Sequence, residues 1–468
     1  MHKHNINYII SVCSIASLAG LILGYDASVI SGAIEPLTEY FDLTPAECGL
    51  AVSSAIIGCI LGAYFVGYLA DKYGRRTTLM LANILLMISA IGSAITDVFS
   101  LFILYRVLGG IAIGMVSTVT PLYIAEFSPK DIRGRMLGLQ QLVMVGGQLI
   151  VYIVNFTIAK GMIHEWVVEF GWRWMLASVL LPCVLFMFLS FLIPESPRWN
   201  VMKNHDQKAM DTLTKISNQL HAQHLFNEIK ASFVDSAKVN KIGFFSVLSN
   251  AKSRYITLIG CTIAVLQQLT GINILLYYAP SLLKNITGSN QESLFQTIFL
   301  GIALFVGVFI ALRFIDNVGR VKLLRLGSIG CCLCLIISAL TFYFNIIGYL
   351  PITLLVIFVL IYAISWSLGA WLLISEIFPN RIRAVAMGIS FSAMYLSNAL
   401  IAQVFPMMNQ NDWLMATFNG GFPLLICAAS CLFGYWFIGR FLPETKGISL
   451  EKIEPVMLSK SKRFAAKS

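Results

Sequence analysis

Two ionisable residues interrupt long apolar stretches of the chain: Asp26 in Gly24-Tyr25-Asp26-Ala27-Ser28 and Arg106 in Tyr105-Arg106-Val107. A charge inside a nonpolar medium is costly unless it is paired, so each marks either a structural ion pair or a working site. A static pair would only neutralise itself. A working pair would bind a proton, because burial favours the neutral carboxyl whereas a nearby guanidinium favours the ionised one. Four amides lie in similar surroundings: Gln148, Gln267, Gln268 and Asn273. A carboxamide both donates and accepts, so it can serve a hydroxyl group bidentately. Amides with one or two aromatic rings suit an uncharged polyol, whereas a phosphate or an amino acid would require cationic partners. The competing reading is hydrogen bonding between helices. Gln267 and Gln268 are adjacent and cannot face one direction on a helix, so one of them serves packing.

No catalytic constellation accompanies these residues. The chain has no phosphate-binding loop of the Walker type and no histidine spacing suited to a metal. An enzyme, a metal site and a bound cofactor are therefore not expected. The ten cysteines fall in or at the ends of apolar runs, which argues against a disulfide framework.

Of the 468 residues, 57% are hydrophobic and 12% are charged, and the mean hydropathy is +0.79. Soluble domains carry about twice that charged share. What remains is a polytopic helical membrane protein. Twelve apolar runs are long enough to span a bilayer. They cover roughly 7–32, 47–70, 77–96, 100–126, 134–159, 172–193, 254–283, 291–315, 322–345, 350–378, 383–409 and 415–441. A polar stretch over 197–250, with short amphipathic helices, divides them six and six.

The net charge of +10 would suggest nucleic acid in a soluble protein, but here it reflects basic cytoplasmic loops. With both termini and the 197–250 stretch inside, all but four of the 33 Lys and Arg fall on the cytoplasmic side. The exceptions are Lys160, Lys284, Arg173 and Arg106. The first outer loop, with Glu35, Glu39, Asp42 and Glu47, has no basic residue.

The two sets of six spans repeat one another. Asp71-Lys72-Tyr73-Gly74-Arg75-Arg76 after the second span returns as Asp316-Asn317-Val318-Gly319-Arg320 after the eighth. Glu126-Phe127-Ser128-Pro129 with Arg133 returns as Glu376-Ile377-Phe378-Pro379 with Arg383, at the same Glu-to-Arg spacing. Pro194-Glu195-Ser196 returns as Pro443-Glu444-Thr445. Parallel repeats of this kind build transporters whose substrate site lies near the midplane.

The pattern resembles the sugar porters of the major facilitator superfamily. The resemblance rests on the three repeated motifs and on Tyr105-Arg106-x-x-Gly109-Gly110, Arg133-Gly134-Arg135, Gln267-Gln268-x-x-Gly271-Ile272-Asn273 and Tyr277-Tyr278-Ala279-Pro280. It implies an all-α polytopic membrane protein, twelve transmembrane helices forming two pseudo-symmetric six-helix bundles. The domains would be 1–196 and 251–445, with a cytoplasmic linker 197–250 and a cytoplasmic tail 446–468.

The same resemblance assigns roles. Asp71, Arg75, Arg76, Glu126, Arg133, Arg135, Asp316, Arg320, Glu376 and Arg383 would form salt bridges between the halves that gate the inner side, the alternative being that they only anchor helix ends. Exposed pairs of this sort are worth about 1 kcal/mol each. The first and fourth spans are neighbours in this fold, which brings Asp26 to Arg106, and in sugar porters an Asp here accompanies proton coupling. Trp371 matches the tryptophan on which relatives stack a sugar ring. Asn398 and Tyr395 are further binding candidates, and Tyr277 and Tyr278 would form an outer gate where Pro280 bends the seventh span.

Departures from the family pattern also have consequences. Val179 stands where proton-coupled relatives can carry a second carboxylate, and Leu304 where relatives often place an asparagine that contacts sugar. Met394 precedes Tyr395 where some relatives have Gln-Trp. Ser367-Leu368 replaces Gly-Pro, leaving the hinge of the tenth span to Gly369. The implied function is import of a monosaccharide, a hexose such as glucose or a pentose such as xylose, in symport with protons. A passive uniporter is the alternative. A sugar sensor is disfavoured by the short basic tail. The partners would be sugar, protons and the lipid bilayer, without nucleic acid, and the protein would act as a monomer in a bacterial inner membrane.

Overall fold

A computed structural model describes residues 5–129, 131–238, 244–287, 289–346, 348–379, 381–445 and 453–460. Among them are 12 helical segments long and apolar enough to cross a membrane, and no strand. In order they are Ile6–Tyr40, Pro45–Tyr73, Arg75–Ile95, Phe99–Phe127, Arg133–Ala159, His164–Ser190, Ala251–Lys284, Asn290–Phe314, Arg320–Tyr343, Tyr349–Ile377, Val385–Asn409 and Phe422–Phe441. Large apolar side chains such as Tyr64, Leu181 and Phe188 lie exposed along the helices, as lipid contact requires.

Three boundaries differ from those read in the sequence. The first helix continues through Glu35, Pro36 and Glu39 to Tyr40. These residues look like a loop, but Glu35 pairs with Lys284 and Glu39 lies 3.0 Å from His164 Nε2. The sixth segment begins at His164 and passes through a π-helical turn at Val167–Gly171. The twelfth begins only at Phe422, because Asn419 (φ 49°) and Gly420 (φ 84°) separate it from a short helix Asp412–Phe418.

Packing groups the chain into two compact units. One comprises Met1–Val29, Ile57–Val151 and Arg173–Lys241; the other comprises Ile30–Ile56, Tyr152–Trp172 and Ile242–Ser468. The division does not follow the sequence at 197–250. Parts of the first, second, fifth and sixth spans belong with the second half.

Within the first unit, glycines fix which helices touch. A Cβ at Gly62 would overlap the Ile111 carbonyl, and one at Gly58 the Val107 carbonyl, so the second and fourth spans meet backbone to backbone beside Arg106. Gly24 brings the first span equally close to the fifth, where a Cβ would overlap the Met144 carbonyl. The linker contributes Pro197–Met202, Asp206–Ile216 and Gln219–Lys238. Val201, Ala209, Leu213, Ala222 and Phe226 form its small apolar core.

The seventh span is two helices, Ala251–Leu269 and Ile272–Thr287, separated at Gly271 with φ +92°. Pro280, expected to bend this span, lies inside the second piece. A Cβ at Gly271 would sit 2.6 Å from Cys427 Sγ. Gly271→Ala combines that contact with a left-handed backbone, which costs about 1–2 kcal/mol for residues with a side chain. The variant is expected to unfold at a lower temperature in detergent, as thermal denaturation of the purified protein will show. The tenth span likewise breaks elsewhere than expected. Gly369 lies in the regular helix Leu368–Ile377, and the irregularity is a π turn at Ala363–Ser367. Within that turn the Ser365 hydroxyl donates to the Ile361 carbonyl at 2.6 Å. A Cβ at Gly327 would overlap Ser365 Oγ, so the neighbouring helix leaves room for the bulge.

Candidate functional site

Asp26 and Arg106 meet in the interior of the first unit, each 4% exposed. Arg106 Nη1 lies 3.8 Å from Asp26 Oδ2, inside ion-pair range and beyond hydrogen-bond range. Asp26 Oδ2 and Arg106 Nε are both buried without a hydrogen-bond partner. The pair is thus close enough for Coulomb attraction and loosely held, whereas a purely structural buried pair is normally satisfied on all sides. The preceding Tyr25 donates its hydroxyl to Ser178 Oγ at 2.8 Å, which brings the sixth span beside the site. The next residue, Val179, is 1% exposed.

Gln148 belongs to the same unit. It is 7% exposed, and its Cγ would lie 3.3 Å from a Cβ at Gly24, two residues before Asp26. Its Oε1 is buried without a hydrogen-bond partner.

The remaining amides cluster in the second unit, around the break at Gly271. Asn273 Nδ2 donates to Gln268 Oε1 and, at 2.8 Å, to Asn398 Oδ1. Asn398 Nδ2 donates onward to the Tyr277 hydroxyl at 3.1 Å. The helix break brings this set together, since it lets Asn273 turn back toward Gln268 across the gap. Gln267 points elsewhere, and its Nε2 donates to the Trp366 carbonyl at 3.5 Å. Its Oε1, like that of Gln148, is buried with no hydrogen-bond partner. Buried amide oxygens left open in this way are acceptors for hydroxyl donors.

The other predicted residues have different surroundings. Trp371 is 40% exposed, with its ring 4.6 Å from that of Phe391. Tyr395 is half-buried, one helical turn before Asn398. Of the two tyrosines expected at a gate, Tyr277 joins the amide network, and Tyr278 donates to the Ala402 carbonyl at 2.7 Å with its ring 4.9 Å from that of Phe405. Trp366 went unnoticed in the sequence. It is fully buried and donates from Nε1 to Ser328 Oγ at 3.2 Å, which fixes the carbonyl that orients Gln267.

The charged motifs form two copies of one network, one in each half. In the first copy, Arg75 Nε donates to Glu126 Oε2 at 3.0 Å, and Nη1 reaches Asp71 Oδ1 at 3.1 Å. Ser196 Oγ donates to Glu126 Oε2 at 2.6 Å. Glu195 Oε1 accepts from the backbone N–H groups of Arg75 and Arg76 at 2.8 and 3.0 Å. In the second copy, Arg320 Nε donates to Glu376 Oε1 at 3.2 Å and Thr445 Oγ1 to Glu376 Oε2 at 2.6 Å. Glu444 Oε1 accepts from the Arg320 backbone N–H at 2.9 Å.

Gly74 and Gly319, with φ of 98° and 94°, make the matching turns. Burial pushes the Glu195 carboxyl above its ordinary range, and the backbone N–H groups pull it back. The roles of Glu195, Ser196, Glu444 and Thr445 were signalled only by the repetition of their motifs.

Arg133 Nη2 donates to the Ser128 carbonyl at 3.4 Å, and Arg383 Nη2 to the Phe378 carbonyl at 2.9 Å. Both therefore cap the ends of preceding helices, where cations are favoured. Arg76 Nε donates to the Ser190 carbonyl at 2.8 Å, and Arg135 is exposed. The side chain of Asp316 lies outside the described residues, as do Lys446 and Gly447 of the last motif.

The side chains of the Arg75–Glu126 pair are 8% and 5% exposed, so the small value expected for a solvent-exposed bridge does not apply to it. In the second copy the figures are 13% and 24%. Glu126→Gln removes the charge from a charge-assisted bond and is expected to cost about 1–2 kcal/mol. Glu376→Gln is expected to cost less. Thermal unfolding of the two purified variants measures the difference.

Comparison with known proteins agrees with this geometry. Residues 12–457 match the family described as "Sugar (and other) transporter". The D-xylose-proton symporter of Escherichia coli (strain K12) is 34% identical, over 98% of this chain and 98% of its own length. The arabinose-proton symporter of Bacillus subtilis (strain 168) is 35% identical, over 97% and 96%. The glucose facilitated diffusion protein of Zymomonas mobilis is 33% identical, over 95% and 96%. Among solved structures, the inward open conformation of the E. coli xylose transporter XylE superposes with a TM-score of 0.85, at 34% identity, covering 96% of this chain and 100% of that one. XylE bound to 6-bromo-6-deoxy-D-glucose gives a TM-score of 0.78 at the same identity, covering 97% and 100%. With its two copies of one charged network and twelve spanning helices, the chain belongs to the sugar porter family of the major facilitator superfamily.

Proposed function

We propose that the protein imports a monosaccharide, a hexose such as glucose or a pentose such as xylose, in symport with protons by alternating access. The observation that carries the coupling is the loosely held, buried Asp26–Arg106 pair. An ion pair without a hydrogen bond can exchange its partner for a proton at smaller cost than a fully bonded one. The buried acceptors Gln148 Oε1 and Gln267 Oε1, with the network of Gln268, Asn273 and Asn398, support an uncharged polyhydroxy substrate. Trp371 and Tyr395 supply apolar faces for its ring. The proton is the only co-substrate this reading requires, and no cofactor enters it.

The face bearing the Arg75 and Arg320 networks is the cytoplasmic one, together with both termini, since the basic residues gather there. The protein acts as a monomer in a bacterial inner membrane. Arg76, Arg133 and Arg383 hold the helix ends of that face, which must rearrange whenever the inner side opens, and Arg135 adds an exposed positive charge there.

The test is uptake of labelled glucose and labelled xylose into proteoliposomes, with and without an inward proton gradient. Symport predicts accumulation above the external concentration of at least one sugar, only when the gradient is present. Uniport is the second reading, and Val179 favours it, since the neighbourhood of Asp26 lacks a second carboxylate at that position. It predicts equilibration with no accumulation under either condition.

A further inference from the structure

On the face opposite the basic motifs, the eleventh span grips the second through one side chain. Gln403 Nε2 donates to the Ala46 carbonyl at 2.7 Å, and Gln403 Oε1 accepts from Ser53 Oγ at 2.8 Å. Ala46, Gly49 and Ser53 follow one another along a single face of the second helix. Gly49, between the two bonded positions, has no Cβ. One placed there would overlap the Gln403 carbonyl, so the two backbones touch at this point. The carboxamide thus uses its donor and its acceptor on two successive turns of the opposing helix.

We propose that Gln403 is a latch that holds the second span against the eleventh and so sets how often the substrate pathway opens toward this face. The inference rests on the alternating-access reading above. Three features distinguish a latch from ordinary packing. Both bonds are neutral and come from one side chain, so they form and break together. Gln403 is half-buried at a rim, so water replaces its partners readily on opening. The contact also joins a helix of the first half to one of the second, and those are the parts that must separate. Gln403 is a positioning residue and touches no substrate.

Cys48 adjoins Gly49 and is 5% exposed, which supplies a native reporter. The experiment compares the rate at which a membrane-impermeant maleimide, added to intact cells, labels Cys48 in wild type, Gln403→Ala, Ser53→Ala and Ser53→Thr. Each is paired with a Cys48→Ser blank. Gln403→Ala is expected to label about tenfold faster and Ser53→Ala about threefold faster, as loss of two and one hydrogen bonds would give. Ser53→Thr keeps the hydroxyl and should label at the wild-type rate. The apparent dissociation constant for sugar at this face should fall in step with labelling, because affinity scales with the population of the competent state.

Unchanged labelling and unchanged affinity in folded, monodisperse Gln403→Ala would overturn the proposal. If that variant does not fold, the milder Ser53→Ala decides. Labelling needs no substrate, so a latch that fails is distinguishable from a transport reading that fails.

Discussion

Asp26→Asn is expected to abolish sugar accumulation while leaving exchange intact. At an inside-negative potential of 100 mV, one co-transported proton is worth about 2.3 kcal/mol, enough for roughly fortyfold accumulation. Asparagine has nearly the same shape and can face Arg106, but it carries no titrating proton. The accumulation ratio should fall to about one, while exchange of labelled for unlabelled sugar between equal pools continues. Arg106, 4% exposed, is left without its countercharge, so some loss of yield or thermal stability is also expected. If the pair were only structural, the variant would lose stability and still accumulate sugar. The split between accumulation and exchange separates the two cases.

Asn273→Ala is expected to fail in the complementary way. Its Nδ2 serves both Gln268 Oε1 and Asn398 Oδ1, so truncation leaves two amide oxygens without their donor. A lost partner at a buried polar group costs about 1–3 kcal/mol, which corresponds to a rise in half-saturation for sugar of about fivefold to 150-fold. At saturating sugar, the accumulation ratio should stay that of the wild type, because Asp26 and Arg106 are untouched. Initial rates of uptake over a range of sugar concentrations, followed by the steady-state ratio, measure both quantities on one preparation. A change in the ratio with no change in half-saturation would place Asn273 in the coupling machinery instead.

Much of this organisation is legible in the residues. The spans follow from runs of apolar side chains, and the repeated motifs foretell two copies of one network. Asp26 and Arg106 are marked by the cost of charge in an apolar helix, and they do meet. The sequence is less informative where backbone conformation decides. Thr270-Gly271 reads as part of a helix, and Pro280 is the more conspicuous breaker. Only the φ of Gly271 shows that the break precedes Asn273 and lets it face Gln268. The contact of Tyr277 with Asn398 follows from the same break and is equally hidden in the sequence.

Pairing is harder still to read from one chain. Spacing gives the face a charged residue occupies and not its neighbour on that face. The partners within each half come from short turns. Gly74 leaves no Cβ in the way of Glu195, which accepts two backbone N–H groups there and leaves Arg75 for Glu126. The end of the first helix is misjudged for a related reason. Glu35 and Glu39 look solvated, and their partners Lys284 and His164 lie far along the chain.

The most direct test of coupled transport is a proton measurement. De-energised cells or proteoliposomes in lightly buffered medium are given sugar, and the external pH is followed with an electrode. Symport predicts immediate alkalinisation that saturates with sugar, vanishes with a protonophore and is absent for Asp26→Asn. Entry of labelled sugar with no pH change in the wild type would contradict it and make the protein a uniporter.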